Sequence, residues 1–531
     1  ADKFRDLIQS ILYLTSDVQD SIPSEILNKL DLPSKKEAFY HIHNPDNSKT
    51  LAKAKRRIVF EEFLLLQLSL LLRRDLHKKC NSPQLNLELK NNSLVGKFLS
   101  ILPFSLTDAQ KRVLKEIESD IVKAEPMSRL LQGDVGSGKT VIAISALLTA
   151  VQSGWQGAFM APTEVLAAQH FQTLSKWIPQ LELNVDLLTG STSKSRRKEI
   201  LINLMNGSTD ILVGTHALFE DPVVFEQLGL VVVDEQHRFG VKQRNKLLNK
   251  GLQPHLLTMT ATPIPRTLAL TLHGDLDVSQ LDELPPGRTP INTQLISPKD
   301  KKYAYDLIRS EINKGHQIYV VLPLIEESEK LELNAAVDVH HQLSTEIFSE
   351  FTVELLHGKM KSLEKQEVIQ NFINKKSDIL VSTTVIEVGV DVQNASVMLI
   401  ENSDRFGLAQ LHQLRGRVGR GASKSYCLLS HQNKNKLSRQ RLEVLVNSND
   451  GFEISEIDLR FRGPGQVLGT KQSGLPDFAL ASLVDDAEVL ELARIQARGI
   501  LDSDPQLTSN SMLRMLIQEQ WDRLKIANKL N

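Results

Sequence analysis

An internal repeat constrains this chain more than any other feature of its sequence. Residues 187–215, LLTGSTSKSRRKEILINLMNGSTDILVGT, align without a gap to 355–383, LLHGKMKSLEKQEVIQNFINKKSDILVST, at a constant offset of 168, with 11 of 29 positions identical. Unrelated segments of that length would share roughly two. Apolar pairs such as Leu187/Leu355 could arise in any two strand–helix–strand units. The common register of Gly190/Gly358, Asn203/Asn371, Asn206/Asn374 and Asp210/Asp378 could not, and it implies a duplicated α/β fold. Around the first copy, the apolar runs 158–160, 211–213, 230–233 and 256–259 alternate with helical patterns. That alternation predicts parallel sheets flanked by helices.

A length of 531 residues suggests roughly three or four domains. The expected organisation is a helical N-terminal region (1–95), a first α/β lobe (96–284), a second lobe (285–435) and a C-terminal region (436–531). The break between lobes is Leu284-Pro285-Pro286-Gly287-Arg288, and the segment Leu51–Arg74 predicts one long helix. Its apolar half, Phe63–Leu72, is shorter than the ~20 residues a bilayer span needs, so no membrane association is expected. Cys80 and Cys427 lie far apart, which excludes a disulfide framework and a cysteine zinc site and suits a reducing, cytoplasmic compartment.

Lys and Arg total 63 against 64 Asp and Glu, so any nucleic-acid site must come from local segregation of charge. Between Leu411 and Leu442 stand Arg415, Arg417, Arg420, Lys424, Lys434, Lys436, Arg439 and Arg441, with no acid among them. Lys194, Arg196, Arg197 and Lys198 form a second cluster at a strand end. Such runs fit backbone phosphates, and for 434–441 a plain solvated face is an equal alternative. Aromatic residues at 5% do not indicate extensive base stacking.

The first lobe carries Gly133-Asp134-Val135-Gly136-Ser137-Gly138-Lys139-Thr140, the G-x-x-x-x-G-K-[ST] pattern. In it, backbone N–H groups curl around phosphate oxygens, the lysine reaches the β- and γ-phosphates and the hydroxyl ligates Mg²⁺. The run 230–233 then delivers Asp234 and Glu235, one to hold Mg²⁺ with Thr140 and the other to orient the attacking water. Shifting the loop by 168 lands on Lys301–Ile308, KKYAYDLI, which has no glycine. The second lobe therefore keeps the fold without the loop, and can serve its partner's site through Gln413, Arg417 and Arg420 in QLRGRVGR. One ATP clamped between two lobes is the design implied.

These stretches resemble the superfamily-two helicases. The resemblance rests on GDVGSGKT (133–140), APTEVLAAQH (161–170), GTHALF (214–219), VVDEQHRFGVKQR (232–244), STTVIEVGVDV (382–392) and QLRGRVGRG (413–421). DEQHRFG with TMTATPIPRTLAL (258–270) narrows it to the RecG family and the related Mfd translocases. LDVSQLDELPPGRTPI (276–291) and the N-terminal helices favour RecG.

The resemblance implies two tandem RecA-like lobes and an ATP-dependent DNA helicase using ATP and Mg²⁺. Its work would be branch migration of Holliday junctions and regression of stalled forks, as a monomeric motor with replication or repair proteins as further partners. It places Phe104 and Gln110 on the adenine, although Phe104 on its own reads as core. It assigns Thr260, Thr262 and His237 to coupling, and Gly389 and Asp391 to closure of the second lobe on the nucleotide. Residues 453–474 resemble the helical-hairpin translocation motif, with Arg460, Arg462 and Gln472 at its matching positions. RecG proteins carry an OB-type wedge domain upstream of these helices, and this chain starts at or just after that point. A fragment or a wedge-less version are the alternatives; either predicts DNA-stimulated ATP hydrolysis with weak or absent fork unwinding. An Mfd-like transcription–repair translocase, or a nucleic-acid-binding scaffold with a decayed motor, are the competing readings.

Overall fold

The computed structural model describes residues 19–78, 82, 83, 85, 93–236, 239, 241–262, 269, 276–285, 290–323, 329–383, 392–419, 421, 424–432, 436–462, 478–483 and 485–529. Two sheets carry the repeat. The first contains β1 (Ser128–Gly133), β2 (Gln156–Met160), β3 (Val185–Leu188), β4 (Ile211–Gly214), β5 (Leu228–Val233), β6 (His255–Thr260) and β7 (Asp277–Leu281), in the order β3-β4-β2-β5-β6-β1-β7. The second contains β8 (Asn292–Ile296), β9 (Gln317–Val321), β10 (Val353–Leu356), β11 (Ile379–Ser382), β12 (Ala395–Ile400) and β13 (Tyr426–Ser430), in the order β10-β11-β9-β12-β13-β8. Each strand of the second sheet occupies its counterpart's place in the first, and β7 is the addition. All pairings within β1–β6 and within β8–β13 are parallel. The fold is the expected pair of α/β lobes.

The offset of 168 holds element by element through the repeat. β3, the helix Lys194–Met205 and β4 match β10, the helix Ser362–Ile373 and β11 at every boundary. The polar residues that marked the register do equivalent work. The Asp210 carboxylate accepts the Asn184 N–H at 2.7 Å, and Asp378 accepts the Thr352 N–H at 2.9 Å. A buried glutamine closes the unit in each lobe. Gln156 Nε2 donates to the Leu204 and Thr209 carbonyls, and Gln317 Nε2 to those of Phe372 and Ser377. Buried carbonyls at a helix end need such partners, because leaving them unpaired costs about 1–3 kcal/mol each.

Upstream of the repeat the offset changes, which corrects one expectation. Gly157 pairs with Ile211 and Ile318 with Ile379, so β2 and β9 differ by 161 rather than 168. The helix Lys139–Gln152 after β1 corresponds to the helix Lys301–Asn313 after β8. Lys301–Ile308 is therefore the start of that helix, and the counterpart of the phosphate loop is the short turn 297–300. That turn also lacks glycine. The shift arises between β9 and β10, which 31 residues join where 24 join β2 to β3, while the sheet order stayed intact.

The chain folds as two compact units, with both lobes in the larger (80–264 and 278–458). The smaller comprises 1–79, 265–277 and 459–531, so helices from both ends of the chain share it. Its spine is the helix Ser48–Lys78, extending the predicted Leu51–Arg74 at both ends, and it packs on Ala487–Ser503. Phe60, Phe63, Leu64 and Leu68 are buried along it. Arg57 is also fully buried and pairs with Asp20 at 2.5 Å and Glu61 at 2.8 Å. Glu62 receives the N–H groups of Ala479, Leu480 and Ala481, and Phe478 packs edge-on against Phe63. Among the described residues no helix is long and apolar enough to cross a membrane.

In the larger unit, His255 opens β6 with no exposed surface. Its Nδ1 accepts the Met127 N–H at 2.9 Å and its Nε2–H donates to the Pro83 carbonyl at 2.7 Å. Burial holds its pKa below the ordinary 6.5, against the pull of that carbonyl and of Asp120. Below that pH the unfolded chain takes a proton that the folded ring refuses, so stability is full above it and declines as pH falls. Urea unfolding at about pH 7.5 and about pH 5.5 should show this loss. His255→Gln, which can accept and donate in the same places, should flatten it.

Candidate active site

β1 ends at Gly133, and the chain must turn sharply to start the helix at Lys139. Gly136 and Gly138 supply the turn with φ of +81° and +90°, conformations that side chains resist. At Gly138 space is also exhausted, since an added Cβ would lie 2.2 Å from Gln110 Nε2. Gln110 is held by a capping box. Thr107 accepts its N–H, its Oε1 accepts the Thr107 N–H at 2.9 Å, and its Nε2 donates to Ser137 O at 2.9 Å. Lys139 Nζ spans the loop, donating to the carbonyls of Gly133 (2.8 Å) and Asp134 (2.9 Å). Phe104, by contrast, is 42% exposed, so its reading as core is overturned.

Asp234 and Glu235 follow β5, where the Asp234 N–H extends the ladder to Met160 O. Glu235 takes a φ of +49°, strain of the sort active sites retain. Asp234 Oδ1 accepts the Glu235 N–H at 3.0 Å, and Oδ2 lies 2.8 Å from His170 Nε2. His170 comes from the helix Glu164–Trp177 and rests against Phe159 at 4.4 Å between rings. Sequence reasoning passed over it, because a histidine in APTEVLAAQH carries no local sign of a partner 64 residues away. Thr260 and Thr262 bond each other through their hydroxyls at 2.7 Å, and the backbone of Ala261 between them pulls the Glu235 pKa down.

The second lobe supplies the other wall. The helix Leu408–Arg415 buries His412, Gln413 and Arg415, and Arg417 just beyond it is also buried. Gly416 sits so close to the phosphate loop that an added Cβ would meet Val135 Cβ at 2.8 Å. Burial raises the Glu235 pKa, with the Asp234 charge adding to it and Lys139 and Arg417 opposing. Burial works the same way on Asp234, but its bond to His170 and the charge of Lys139 prevail and keep it low. Burial depresses Lys139, against the three carboxylates of Glu235, Asp234 and Asp134, and the Arg417 charge adds to the depression. Two adjacent acids pushed in opposite directions set one carboxyl toward its neutral form beside an ionised one.

The equivalent place in the second lobe shows why it holds no loop. Lys301 begins its helix as Lys139 does, and Glu401 follows β12 as Asp234 follows β5. Asn402 even matches Glu235 in backbone, with φ of +47°. Here the lysine lies 3.3 Å from Glu401, which also accepts Ser430 Oγ at 2.7 Å. The two charges satisfy each other across a turn too short to curl around a phosphate.

Other predicted residues fare variously. His237, Gly389, Asp391, Arg420 and Gln472 lie outside the described residues, as does the side chain of Arg462. Arg460 is exposed on the helix Gly451–Arg462. Of the basic run 411–442, Arg415 is 2% exposed and donates to Leu445 O and Ser448 O, so it cannot be a surface phosphate contact. Arg196 and Arg197 pair with Asp186 and Glu220.

Three family models match along the chain. They are described as DEAD/DEAH box helicase (107–271), helicase conserved C-terminal domain (300–422) and ATP-dependent DNA helicase RecG, domain 3, C-terminal (448–531). The ATP-dependent DNA helicase RecG of Synechocystis sp. is 54% identical over 99% of this chain and 63% of its own length. That of Bacillus subtilis is 46% identical over 94% and 73%, and that of Thermotoga maritima 46% over 93% and 63%. The chain thus spans less than two thirds of the Synechocystis and Thermotoga relatives. A solved structure of RecG bound to a three-way DNA junction matches with TM-score 0.73 and 42% identity, covering 92% of this chain and 64% of that one. The DNA-bound helicase MrfA, at 16% identity and TM-score 0.53, shares the fold alone.

The packing of Gly138 against Gln110 gives a stability test. Gly138→Ala should destabilise by about 1–3 kcal/mol through its backbone conformation, and further by expelling the Gln110 amide. Because both act on one contact, Gly138→Ala with Gln110→Ala should cost less than the two single losses added together. Thermal melting of the four proteins checks it.

Proposed function

The chain belongs to the RecG family, and on that footing we propose that it is an ATP-driven DNA helicase and translocase acting on branched and duplex DNA. The observation that carries this reading is the buried Arg417, from the lobe with no phosphate loop, whose charge bears on Lys139 and Glu235 in the other. ATP is the substrate whose phosphates suit the loop 133–140, with Lys139 leaving the Gly133 and Asp134 carbonyls for the β- and γ-phosphates. Gln110, which bonds the loop at Ser137 O, would take the adenine together with the exposed Phe104.

Glu235, with its pKa raised, is suited to accept a proton from the attacking water. The water's oxygen bonds the γ-phosphorus in line as the bond to the ADP oxygen breaks. Charge then spreads over the phosphoryl oxygens, where Lys139, Arg417 and Arg420 offset it. Gln413 stands on the same wall. Thr140 and the ionised Asp234 present hard oxygen donors, which fit Mg²⁺. Bound there, Mg²⁺ would neutralise β- and γ-phosphate charge. The Thr260–Thr262 loop, whose Ala261 backbone bears on the Glu235 carboxyl, offers a path from the state of the phosphate to the DNA side. With His237, Gly389, Asp391, Arg460, Arg462 and Gln472 it makes up the proposed coupling set.

The substrate class follows the family: Holliday junctions and stalled forks in recombination and repair, gripped mainly by their backbones. Relatives at 43–54% identity all carry the RecG description, which leaves the Mfd-like and decayed-motor readings without support.

ATPase rates with linear duplex, single-stranded, forked and four-way DNA and with RNA test the proposal. Forked and four-way DNA should stimulate most, and equal rates on RNA and forked DNA would sink the substrate assignment. Arg417→Ala should lower kcat by about 10³-fold or more, as loss of a phosphoryl-clamping arginine does. Lys139→Ala should abolish hydrolysis on every substrate.

A further inference from the structure

The phosphate loop also touches the second lobe directly, through Asp134. Its Oδ1 lies 2.7 Å from Nε2 of His412, on the helix that leads into Arg417. The other ring nitrogen, Nδ1, lies 2.8 Å from an Arg415 NH2 group. A guanidinium has donors only, so Nδ1 must be the acceptor, and the proton sits on Nε2 and is donated to Asp134. The histidine is thereby fixed as one neutral tautomer. Arg415 is fixed in turn by the Leu445 and Ser448 carbonyls at 2.7 and 2.8 Å. Asp134 Oδ1 also accepts the Val135 N–H at 2.6 Å, which ties the contact to the loop's own backbone. Beside it, the close approach of Gly416 to Val135 leaves no room for a different register.

We propose that Asp134 and His412 form a register contact between the two lobes, with His412 a positioning residue that sets Arg417 against the transferred phosphate. This rests on the functional reading above and extends it, because the placement of Arg417 is assigned to a contact between protein groups alone. His412 and Arg415 lie on the final turn of the helix, and Arg417 follows after a single glycine, Gly416. A shift of the helix end is thus a shift of the guanidinium. Asp134 is only partly exposed, so the hydrogen bond is little weakened by competing water. Misplacing a catalytic group by about 1 Å costs on the order of 10²-fold in rate.

The test compares His412→Leu, which keeps bulk and loses both hydrogen bonds, with His412→Gln, whose amide can donate to Asp134 and accept from Arg415. DNA-stimulated kcat and the affinity for a fluorescent ADP analogue are measured, with rates normalised to the analogue-binding fraction. His412→Leu should lower kcat by about 10²-fold while affinity stays within about threefold, and His412→Gln should stay within about threefold of the unsubstituted chain in both. In an Arg417→Ala background, His412→Leu should cost nothing further, because the residue it positions is gone. Independent multiplication of the two losses would overturn the proposal, as would equal damage from Gln and Leu or an unchanged kcat in His412→Leu. Failure of the unsubstituted chain to hydrolyse ATP would instead remove the functional reading itself.

Discussion

Four ionisable groups drawn largely out of bulk water govern the junction of the two lobes. Lys139, Asp234, Glu235 and Arg417 sit close enough for each to bear on its neighbours' protonation. Bringing such groups out of water is expensive, and the expense falls only when opposite charges and hydrogen bonds are arranged around them. His170 meets part of it at Asp234, and the Gly133 and Asp134 carbonyls meet part at Lys139. Glu235 is left short, with its carboxyl driven toward the neutral form. That imbalance is what the proposed role of Glu235 as base draws on.

Duplication explains how such a site is built from one fold. Both sheets run in the same order, so the same strand ends recur at the same places. In the first lobe they deliver a glycine loop, a lysine and a carboxylate pair. In the second, Lys301 and Glu401 occupy those stations and neutralise each other, and the opposite edge of the lobe offers Arg417 instead. One half carries the glycine loop, and the other brings a buried Arg417 near it.

Much of this was legible along the chain. The phosphate loop is local, because six residues dictate its turn. Asp234 and Glu235 could be read because a buried strand must end somewhere polar. The repeat gave the fold class because its polar residues, Asp210/Asp378 and their kin, serve backbone groups that every copy must satisfy. Legibility failed wherever a role depends on a partner distant in sequence. Arg415 looked like one more basic residue, yet it is an interior strut. Phe104 looked like core, yet nothing packs enough of its ring to exclude water. The register slip from 168 to 161 was invisible because only strand pairing defines which residues correspond.

Sequence alone therefore determined the duplicated α/β architecture, the phosphate loop and the acidic pair, since each is set by short-range backbone geometry and residue chemistry. Tertiary structure alone decided that His170 holds Asp234 and that His412 meets Asp134. Those contacts join residues 64 to 278 positions apart. Charge and hydrogen bonding act through space, and only folding turns that sequence separation into a distance of 3 Å or less.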